Sequence, residues 1–333
     1  MNKVDPSPAF QVEATEGAGP QISKSQAKRM LVIFNPTAGR RQKRKLDAVV
    51  KALQDLGATV QLIATQARGD AEAFARQARI TFEMGLPQSG EVEAPDVVVA
   101  AGGDGTINEV VNGLLGSDLP LAIIPLGTAN VLAAEIGLPS ETKKLARVIC
   151  FGEAVDTYIG LVNRRAFIQM AGAGMDADVV AGVSKPLKRL LGKGAYGLAI
   201  LRWLIKPSKQ RYRLSIEGQE YDAATVIFSN GRYYGGRFLL APKASIHDNT
   251  LHVTVFQKGG RCSAVLALIL LGLGRIEIAR GVKCLQCRTA TLTNVEGEVP
   301  RRMVQADGDI VARIPAQIGI STTPIKLVGG IAL

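Results

Sequence analysis

"VVVAAGGDGTINEVVNGLL", residues 97–115, carries an apolar, β-branched run through a glycine-rich turn into a segment with helical spacing. The run before the turn is typical of a buried strand. After the turn, Ile107, Val110 and Leu114 fall on one face of a helix. Strand, tight turn and helix together predict one unit of an α/β fold, with a bare aspartate, Asp104, inside the turn.

The same alternation fills the first half of the chain. Apolar runs predict further strands at 30–35, 58–65 and 121–127, and helical spacing predicts helices at 45–57 and 70–80. Strands that are apolar throughout and alternate with helices favour an open parallel sheet covered on both faces.

Beyond about residue 155 the pattern changes to short strands separated by Gly, Pro and Asn, with one helical stretch near 186–206. The predicted fold class is therefore an α/β N-terminal domain followed by a β-sandwich domain. The predicted organisation is a disordered tail at 1–28, domains at 29–155 and 156–317, and a segment at about 318–333 that can return to the first domain.

Composition agrees with a globular chain of two domains, since 47% of its 333 residues are hydrophobic and 21% are charged. The first 28 residues lack the apolar core of a secretory signal. The longest apolar run, 264–274, is too short to span a bilayer, and predicts either a buried helix or a lipid-contacting element. We expect a cytoplasmic protein that is peripherally associated with membranes.

The net charge of +11 is concentrated in stretches such as 184–213, and no acidic residue occurs between 179 and 216. Lys and Arg mixed with Leu, Ile and Trp203 favour an anionic membrane surface as partner, the alternative being a solvated face with no partner. Nucleic acid is not expected, because aromatic residues make up only 5% and no nucleic-acid-binding motif occurs.

Only two histidines, His247 and His252, are present, so a Ser-His-Asp apparatus has little to draw on. Cys284 and Cys287 form a lone CxxC that strand alternation places on opposite faces, which favours core cysteines over zinc ligands. Carboxylates, amides, hydroxyls and a metal ion are left to carry the chemistry.

Each strand of the first half ends in a turn of small residues. In an open parallel sheet these turns meet at one edge, where glycine amides and helix N-termini bind phosphate. Thr106, Asn108 and Thr128 add hydroxyl and amide donors. The four turns are "NPTAG" (35–39), "TQARGDA" (65–71), "GGDGTIN" (102–108) and "PLGTAN" (125–130).

Asp104 would repel a phosphate unless a cation lay between them. Mg²⁺ is bound by one or two carboxylates together with phosphate oxygens and water. The turn therefore predicts a magnesium-nucleotide complex and phosphoryl transfer.

The GGDGT turn together with "PLGTANVLAAEIGLP" (125–139) resembles the catalytic family of diacylglycerol kinases, which includes sphingosine kinases and bacterial soluble lipid kinases. The resemblance extends from about residue 30 to 330. GGDGT alone is shared with NAD kinases and is similar to the phosphofructokinase turn. The other matching segments are "NPTAGR" (35–40), "AVDTYIGLVNRRAFIQMAGAGMDADVV" (154–180), "FSNGRYYGGRFLLAPKASIHDNTLHV" (228–253) and "VQADGDI" (304–310).

The resemblance implies that ATP binds between the two domains. Asp309 matches the position of the family's proton acceptor, with Asp307 beside it, and Asp104 can assist through metal or water. The positions that the resemblance implies for contact with ATP are Asn35, Pro36, Thr37, Ala38, Gly39, Thr65, Gly102, Gly103, Asp104, Gly105, Thr106, Ile107, Asn108, Gly127, Thr128 and Asn130.

A structural magnesium site of the bacterial lipid kinases is matched by Ser245, Asp248 and the carbonyl of Thr250. Here the chain departs from the family pattern, because Asp248-Asn249 precedes Leu251-His252 where relatives have DG and LD. Val131 also replaces an aspartate that many relatives carry, although its usual partner is matched by Asp156.

The resemblance implies an ATP- and Mg²⁺-dependent lipid kinase of phospholipid metabolism, acting on diacylglycerol or a sphingoid-type lipid; a homodimer is left open. Two alternatives remain: a kinase of a soluble hydroxylated metabolite such as NAD, and a non-catalytic nucleotide- or lipid-binding regulator. "AGAGMDA" (171–177) imitates a dinucleotide-binding turn, but no acidic residue follows at the required distance.

Overall fold

The computed structural model describes seven stretches of the chain. The predicted tail at 1–28 lies outside them except for Lys28, and so do Thr37 and Ala38 and parts of the basic stretch 184–213. The described residues are 28–36, 39–85, 94–183, 194–205, 210–236, 238–295 and 302–329.

The first half forms a sheet with helices on both faces. Its elements are β1 (Arg29–Phe34), α1 (Arg40–Asp55), β2 (Thr59–Ala64), α2 (Asp70–Met84), β3 (Val97–Gly102), α3 (Asp104–Leu114), β4 (Leu121–Pro125), α4 (Val131–Glu135), α5 (Thr142–Phe151) and β5 (Ala154–Thr157). The strand order is β2-β1-β3-β4, extended by β20 (Ile325–Val328) and β5. Strands β1 to β4 pair in parallel.

Alternation along the buried strands explains the two helix layers. All six residues of β3 are buried. Val98 and Ala100 pack with α2 and α3, whereas Val97 and Val99 pack with α1 and α5. Each of the three valines contributes about 1.5–3 kcal/mol when it is fully buried. A slip of one residue would exchange the two cores.

The second half is an antiparallel β sandwich. Its strands are β6 (Gly160–Val162), β7 (Arg165–Phe167), β8 (Met170–Ala173), β9 (Tyr212–Ile216), β10 (Gln219–Ala223), β11 (Thr225–Ser229), β12 (Tyr233–Tyr234), β13 (Phe238–Leu239), β14 (Leu251–Phe256), β15 (Val282–Cys287), β16 (Thr289–Asn294), β17 (Met303–Ala306), β18 (Asp309–Arg313) and β19 (Ala316–Ile320). Within the described residues of this half, three α-helices accompany them: α6 (Met175–Gly182), α7 (Gly194–Ile205) and α8 (Arg261–Gly272).

Two six-stranded sheets make up this sandwich, in the orders β10-β9-β16-β19-β6-β7 and β15-β14-β11-β8-β17-β18, while β12 and β13 pair in a separate two-stranded sheet. Both contribute to one core, in which Phe167 and Tyr212 of the first sheet meet Phe228 of the second. The predicted fold class, an α/β domain followed by a β sandwich, is confirmed.

The last described strand, β20, lies in the first sheet, parallel to β4 and antiparallel to β5. Two strands that flank the sandwich in sequence thus complete the parallel sheet. The domain boundaries given above stay predictions.

The apolar run 264–274 forms most of α8. Ala264 and Leu271 are buried, but Ile269 is 55% exposed and Leu273 is 67% exposed. The interpretation as a buried helix is therefore wrong for one face of α8. Among the described residues, no helix has both the length and the apolar composition needed to cross a bilayer.

Candidate active site

The turns at the carboxyl ends of the first four strands are held side by side by backbone hydrogen bonds. Asn35 N donates to Ala101 O at 3.2 Å, and Thr65 N donates to Phe34 O at 2.9 Å. Leu126 N donates to Gly102 O at 2.9 Å. The four turns therefore meet at one edge of the sheet, where an open α/β fold binds its ligand.

A cleft of about 420 Å³ opens at this edge and is lined by both halves of the chain. The predicted site residues that line it are Asn35, Thr65, Gly103, Gly105, Thr106, Asn108 and Asp309. The lining residues that sequence reasoning did not select are Gln66, Ala67, Arg68, Ala71, Glu109 and Arg165. Arg68 could have been selected, because it is a cation inside a predicted phosphate-binding turn.

Other predicted contacts lie around the cleft rather than on it. Gly39 precedes α1 and is exposed, as are Pro36 and Thr128. The Ile107 side chain is buried in the core beneath α3, so only its backbone could reach a ligand. Gly102 is buried against Thr106, whose side chain a Cβ at Gly102 would meet at 2.6 Å.

The third and fourth turns touch backbone to backbone. A Cβ on Gly127 would lie 2.6 Å from the Cα of Gly103 and 2.8 Å from Oδ1 of Asn130. Asn130 closes the fourth turn, since its Oδ1 accepts from Gly127 N and its Nδ2 donates to Gly127 O, both at 2.8 Å. Glycine is required here because the neighbouring turn leaves no room for a side chain.

We expect Gly127→Ala to push the two turns apart. Overpacking of this kind costs about 1–3 kcal/mol, and displaced amides should weaken nucleotide binding roughly tenfold, which equals about 1.4 kcal/mol. Thermal unfolding and ATP titration calorimetry measure the two effects. Gly197→Ala, at a helical glycine with open space around it, is the matched control. It should leave ATP affinity unchanged and should not lower stability, because alanine is favoured over glycine in a helix by about 0.5–1 kcal/mol; equal behaviour of the two variants contradicts the prediction.

Asp104 has a partner that the sequence did not predict. Its Oδ1 accepts a hydrogen bond from Val131 N at 2.8 Å, so the carboxylate lies at the N-terminus of α4. Burial raises the pKa of Asp104, while backbone N–H groups at the start of α4 oppose that rise. The residues on either side, Gly103 and Gly105, line the cleft. The carboxylate thus fixes the position of α4 relative to the third turn.

Helix α4 also connects the two halves through Glu135, whose side chain is 3% exposed. Arg232 of the sandwich donates from its backbone N to Glu135 Oε2 at 3.0 Å and from Nε to Oε1 at 2.8 Å. A buried carboxylate needs such a charged partner. One short helix therefore joins the GGDGT turn to the sandwich.

The two aspartates of "VQADGDI" have different surroundings. Asp307 is partly buried and accepts hydrogen bonds from the backbone N–H groups of 168–170 at 2.6–3.1 Å, and from Asn108 Nδ2 at 2.9 Å. Burial raises the pKa of the Asp307 carboxyl, while the hydrogen bonds from these donors act to lower it. Asp309 is half exposed on the cleft, with Oδ2 at 3.1 Å from Nη2 of Arg68. Only Asp309 is placed to meet a substrate.

Asn108, predicted to contact the nucleotide, also ties α3 to the sandwich. Its Nδ2 donates to Ala166 O at 3.0 Å as well as to Asp307. One turn further along α3, Asn112 Oδ1 accepts from Ala166 N at 3.0 Å. The third nucleotide turn and the DGD turn therefore form one connected unit.

Two arginines, Arg68 and Arg165, line the cleft. Arg165 donates from Nη1 to Glu72 Oε2, and Glu72 also pairs with Arg76. Arg68 faces Asp309, as described above. A guanidinium group can bind two phosphate oxygens at once. Glycine turns let a phosphate come close to their backbone amides. The cleft therefore fits a nucleotide that carries several phosphates.

Two of the four residues of the predicted loop metal site have side-chain partners in the structure. Ser245 Oγ accepts from His247 N at 3.2 Å, and the Asp156 carboxylate pairs with Lys326 Nζ at 2.6 Å. Asp248 is exposed, and Thr250 is partly buried near it. The described part of the chain contains no group of three or more His, Cys, Asp or Glu residues that could hold a metal ion. Magnesium binding by these four residues stays a prediction.

A second, mostly apolar pocket lies in the sandwich half between α7, α8 and the sheet. Trp203, Phe256 and Leu268 are among its lining residues, and Asp176 lies at its wall. Tyr234 OH donates to Asp176 Oδ1 at 2.7 Å, and Gln305 Nε2 donates to Oδ2 at 2.6 Å. Burial raises the pKa of Asp176 to about 6, while the two hydrogen bonds act to lower it.

This pocket is connected to the cleft through one side chain. Gln305 donates to Asp176 and accepts from Gly308 N at 2.9 Å through Oε1. Gly308 lies between the two aspartates of the DGD turn. The sequence could not predict this link, because Asp176 and Gln305 are 129 residues apart.

Comparison with known proteins agrees with the division into two halves. Residues 29–162 match the family model of the diacylglycerol kinase catalytic domain. Residues 169–329 match the model of the YegS C-terminal NAD kinase beta sandwich-like domain.

Individual relatives cover most of the chain. It is 33% identical over 237 residues to "Diacylglycerol kinase" of Bacillus subtilis (strain 168), covering 69% of this chain and 74% of that protein. It is 33% identical over 221 residues to "Probable lipid kinase YegS" of Escherichia coli O9:H4 (strain HS), covering 63% of this chain and 69% of that protein. A crystal structure of a diacylglycerol kinase from Bacillus anthracis str. Sterne superposes with a TM-score of 0.72 at 23% identity, over 93% of this chain and 99% of that chain. At that identity the likeness shows a shared fold.

Proposed function

The chain belongs to the family of diacylglycerol kinases and related lipid kinases, and we propose that it transfers the γ-phosphate of ATP to a hydroxyl group of a membrane lipid, diacylglycerol or a sphingoid-type lipid. One observation carries the proposal: Asp309, from the sandwich half, lines the same cleft as the glycine turns of the first half. A carboxylate and a phosphate-binding cradle thus face one space, as phosphoryl transfer to an alcohol requires.

The glycine turns and the two arginines bind the triphosphate in this mechanism. Backbone amides of Gly103 and Gly105 face the phosphate oxygens, while Arg68 and Arg165 supply positive charge. Entry of the triphosphate draws Arg68 away from Asp309, since phosphate and carboxylate compete for one guanidinium. ATP binding therefore frees the Asp309 carboxylate for the acceptor.

The acceptor hydroxyl gives its proton to the Asp309 carboxylate as its oxygen attacks the γ-phosphorus. The bond from the γ-phosphorus to the bridging oxygen breaks, and ADP leaves. Asp307 and Gln305 hold the turn that carries Asp309. Correct placement of the base relative to the phosphate is the main contribution of the protein to such a reaction.

Besides the proposed base Asp309, the carboxylate of Glu109 lines the cleft. One carboxylate together with phosphate oxygens and water is a ligand set that Mg²⁺ takes beside a nucleotide, so Glu109 would hold the ion in the cleft. When bound, Mg²⁺ would neutralise charge on the phosphate oxygens. Asp104 holds α4 through Val131 N, and its contribution through metal or water stays a prediction.

The apolar pocket beside α7 and α8 is proposed to receive the hydrocarbon part of the lipid. Trp203, Phe256 and Leu268 offer it an apolar surface, and burial of each CH₂ contributes about 0.8 kcal/mol. Gln305 links the pocket to the DGD turn, so an acyl chain there would place its headgroup on the side of the cleft.

A transfer assay tests the function. The purified protein is incubated with ATP labelled in the γ-phosphate, Mg²⁺ and micelles that contain one lipid of a panel. Label in the chloroform phase supports the proposal, and mass spectrometry identifies the acceptor. Label only in the aqueous phase indicates a kinase of a soluble metabolite, and tight ATP binding without transfer to any lipid indicates a regulator; either result contradicts the proposal.

A further inference from the structure

Helix α8 carries apolar side chains on two opposite faces. Ala264, Leu268 and Leu271 line the apolar pocket. On the opposite face Leu266 is 47% exposed, Ile269 is 55% exposed and Leu273, just past the helix end, is 67% exposed. A helix that is apolar all round needs an apolar environment on each side, and the described part of the chain covers only one.

Helix α7 continues this exposed surface. Leu201 is 56% exposed and Ile205 is 66% exposed, and Arg261 at the start of α8 donates from Nη2 to Ile205 O. The two helices are thus tied together beside the pocket. We name the exposed apolar side chains of the pair the outer face; its members are Leu198, Leu201, Ile205, Val265, Leu266, Ile269 and Leu273.

Exposed basic side chains border the outer face. Arg202 lies on α7, Lys258 and Arg261 lie at the start of α8, and Arg275 follows its end; all four are exposed. The stretches 194–205 and 258–275 contain no Asp or Glu, and the next acid, Glu277, is followed by Arg280. Apolar side chains bordered by cations complement an anionic bilayer, in which acyl chains lie beneath a negative surface.

We infer that the outer face docks on an anionic lipid bilayer, with α8 lying in the interface and the apolar pocket opening beside it. This deepens the proposed function, on which it rests for the need to reach a membrane lipid. It keeps the end of α7, which lies within the basic stretch 184–213 expected from sequence, and adds α8 to the docking surface. A lipid could then pass from the bilayer into the pocket along α8.

The test measures vesicle binding without any kinase substrate. Wild-type protein, Ile269→Gln/Leu273→Gln and the control Leu62→Gln/Met84→Gln are sedimented with vesicles of phosphatidylcholine, with or without phosphatidylglycerol. The control removes exposed apolar side chains of the first half, 46% and 61% exposed. We expect wild type and control to bind the anionic vesicles, and the Ile269/Leu273 variant to bind them roughly tenfold more weakly or worse.

Trp203, the single tryptophan of the chain, gives a second readout at the same place. Lipids brominated in the acyl chain should quench its fluorescence in wild type and control, and much less in the Ile269/Leu273 variant. All three proteins should phosphorylate a short-chain acceptor equally without vesicles, so failure of docking is separated from failure of the kinase function. Unchanged binding by the variant overturns the inference, and so does a wild-type dimer that only this variant dissociates.

Discussion

Asp309→Asn lowers the rate of phosphate transfer by about 100- to 10,000-fold, the range expected when a general base is removed. The amide keeps the size of the side chain but cannot take the proton of the acceptor hydroxyl. Because the proton moves during the reaction, we expect kcat and kcat/KM to fall together. ATP affinity should be retained or increase, since Arg68 loses its carboxylate partner, 3.1 Å away. Initial rates at varied lipid and ATP, with ATP titration calorimetry, measure both quantities.

Asp222→Asn is the matched control for this variant. Asp222 is also an exposed aspartate paired with an arginine, at 3.5 Å from Arg213, but it lies on β10, away from the cleft. It should keep the wild-type rate. Activity of Asp309→Asn within about tenfold of wild type would exclude Asp309 as the base, whether or not the protein proves to be a lipid kinase.

Much of the first half could be predicted from the sequence because its signals are local. β3 is buried on both faces, so its run of apolar residues has one good solution, a central parallel strand. The turns could be predicted from their glycines and from the helical pattern that begins after each strand. That these turns meet at one edge follows from parallel pairing alone.

The contacts that define the site could not be predicted, because they join residues far apart in the chain. Asp104 was expected to face a phosphate through a cation, yet its carboxylate bonds Val131 N, 27 residues away. Arg68 and Asp309 come from different halves. The periodic pattern of the sequence does not indicate which side chain a distant backbone amide will contact.

Helix α8 shows a second limit. Its apolar run predicted either a buried helix or a lipid-contacting element, and a helix with apolar residues on every side carries no periodic signal to choose between them. Only the packed structure separates Leu271, which is buried, from Ile269, which is exposed.

The DGD turn shows the same limit within three residues, and it leads to a stability prediction. We expect Asp307→Ala to lower the free energy of unfolding by about 3–5 kcal/mol, because each buried donor that is left without an acceptor costs about 1–3 kcal/mol. Three backbone N–H groups and Asn108 Nδ2 would lose their acceptor. Position 307 also has φ 47°, where alanine costs about 1–2 kcal/mol and aspartate is better tolerated. For a chain of 333 residues, thermal unfolding should show a decrease in Tm of roughly 4–7 °C.

Asp309→Ala is the control, since it makes the same change two residues away in the same turn. Asp309 is half exposed and its ion pair with Arg68 lies at the surface, so its removal should cost at most about 1 kcal/mol. The two variants should therefore differ in what they lose. Asp309→Ala loses transfer activity with little change in Tm, whereas the main effect of Asp307→Ala is a lower Tm. Equal Tm values would mean that Asp307 does not anchor the turn. Because the turn is attached to Asn108 and to 168–170, its loss should also weaken the contact between the two halves that brings Asp309 to the cleft.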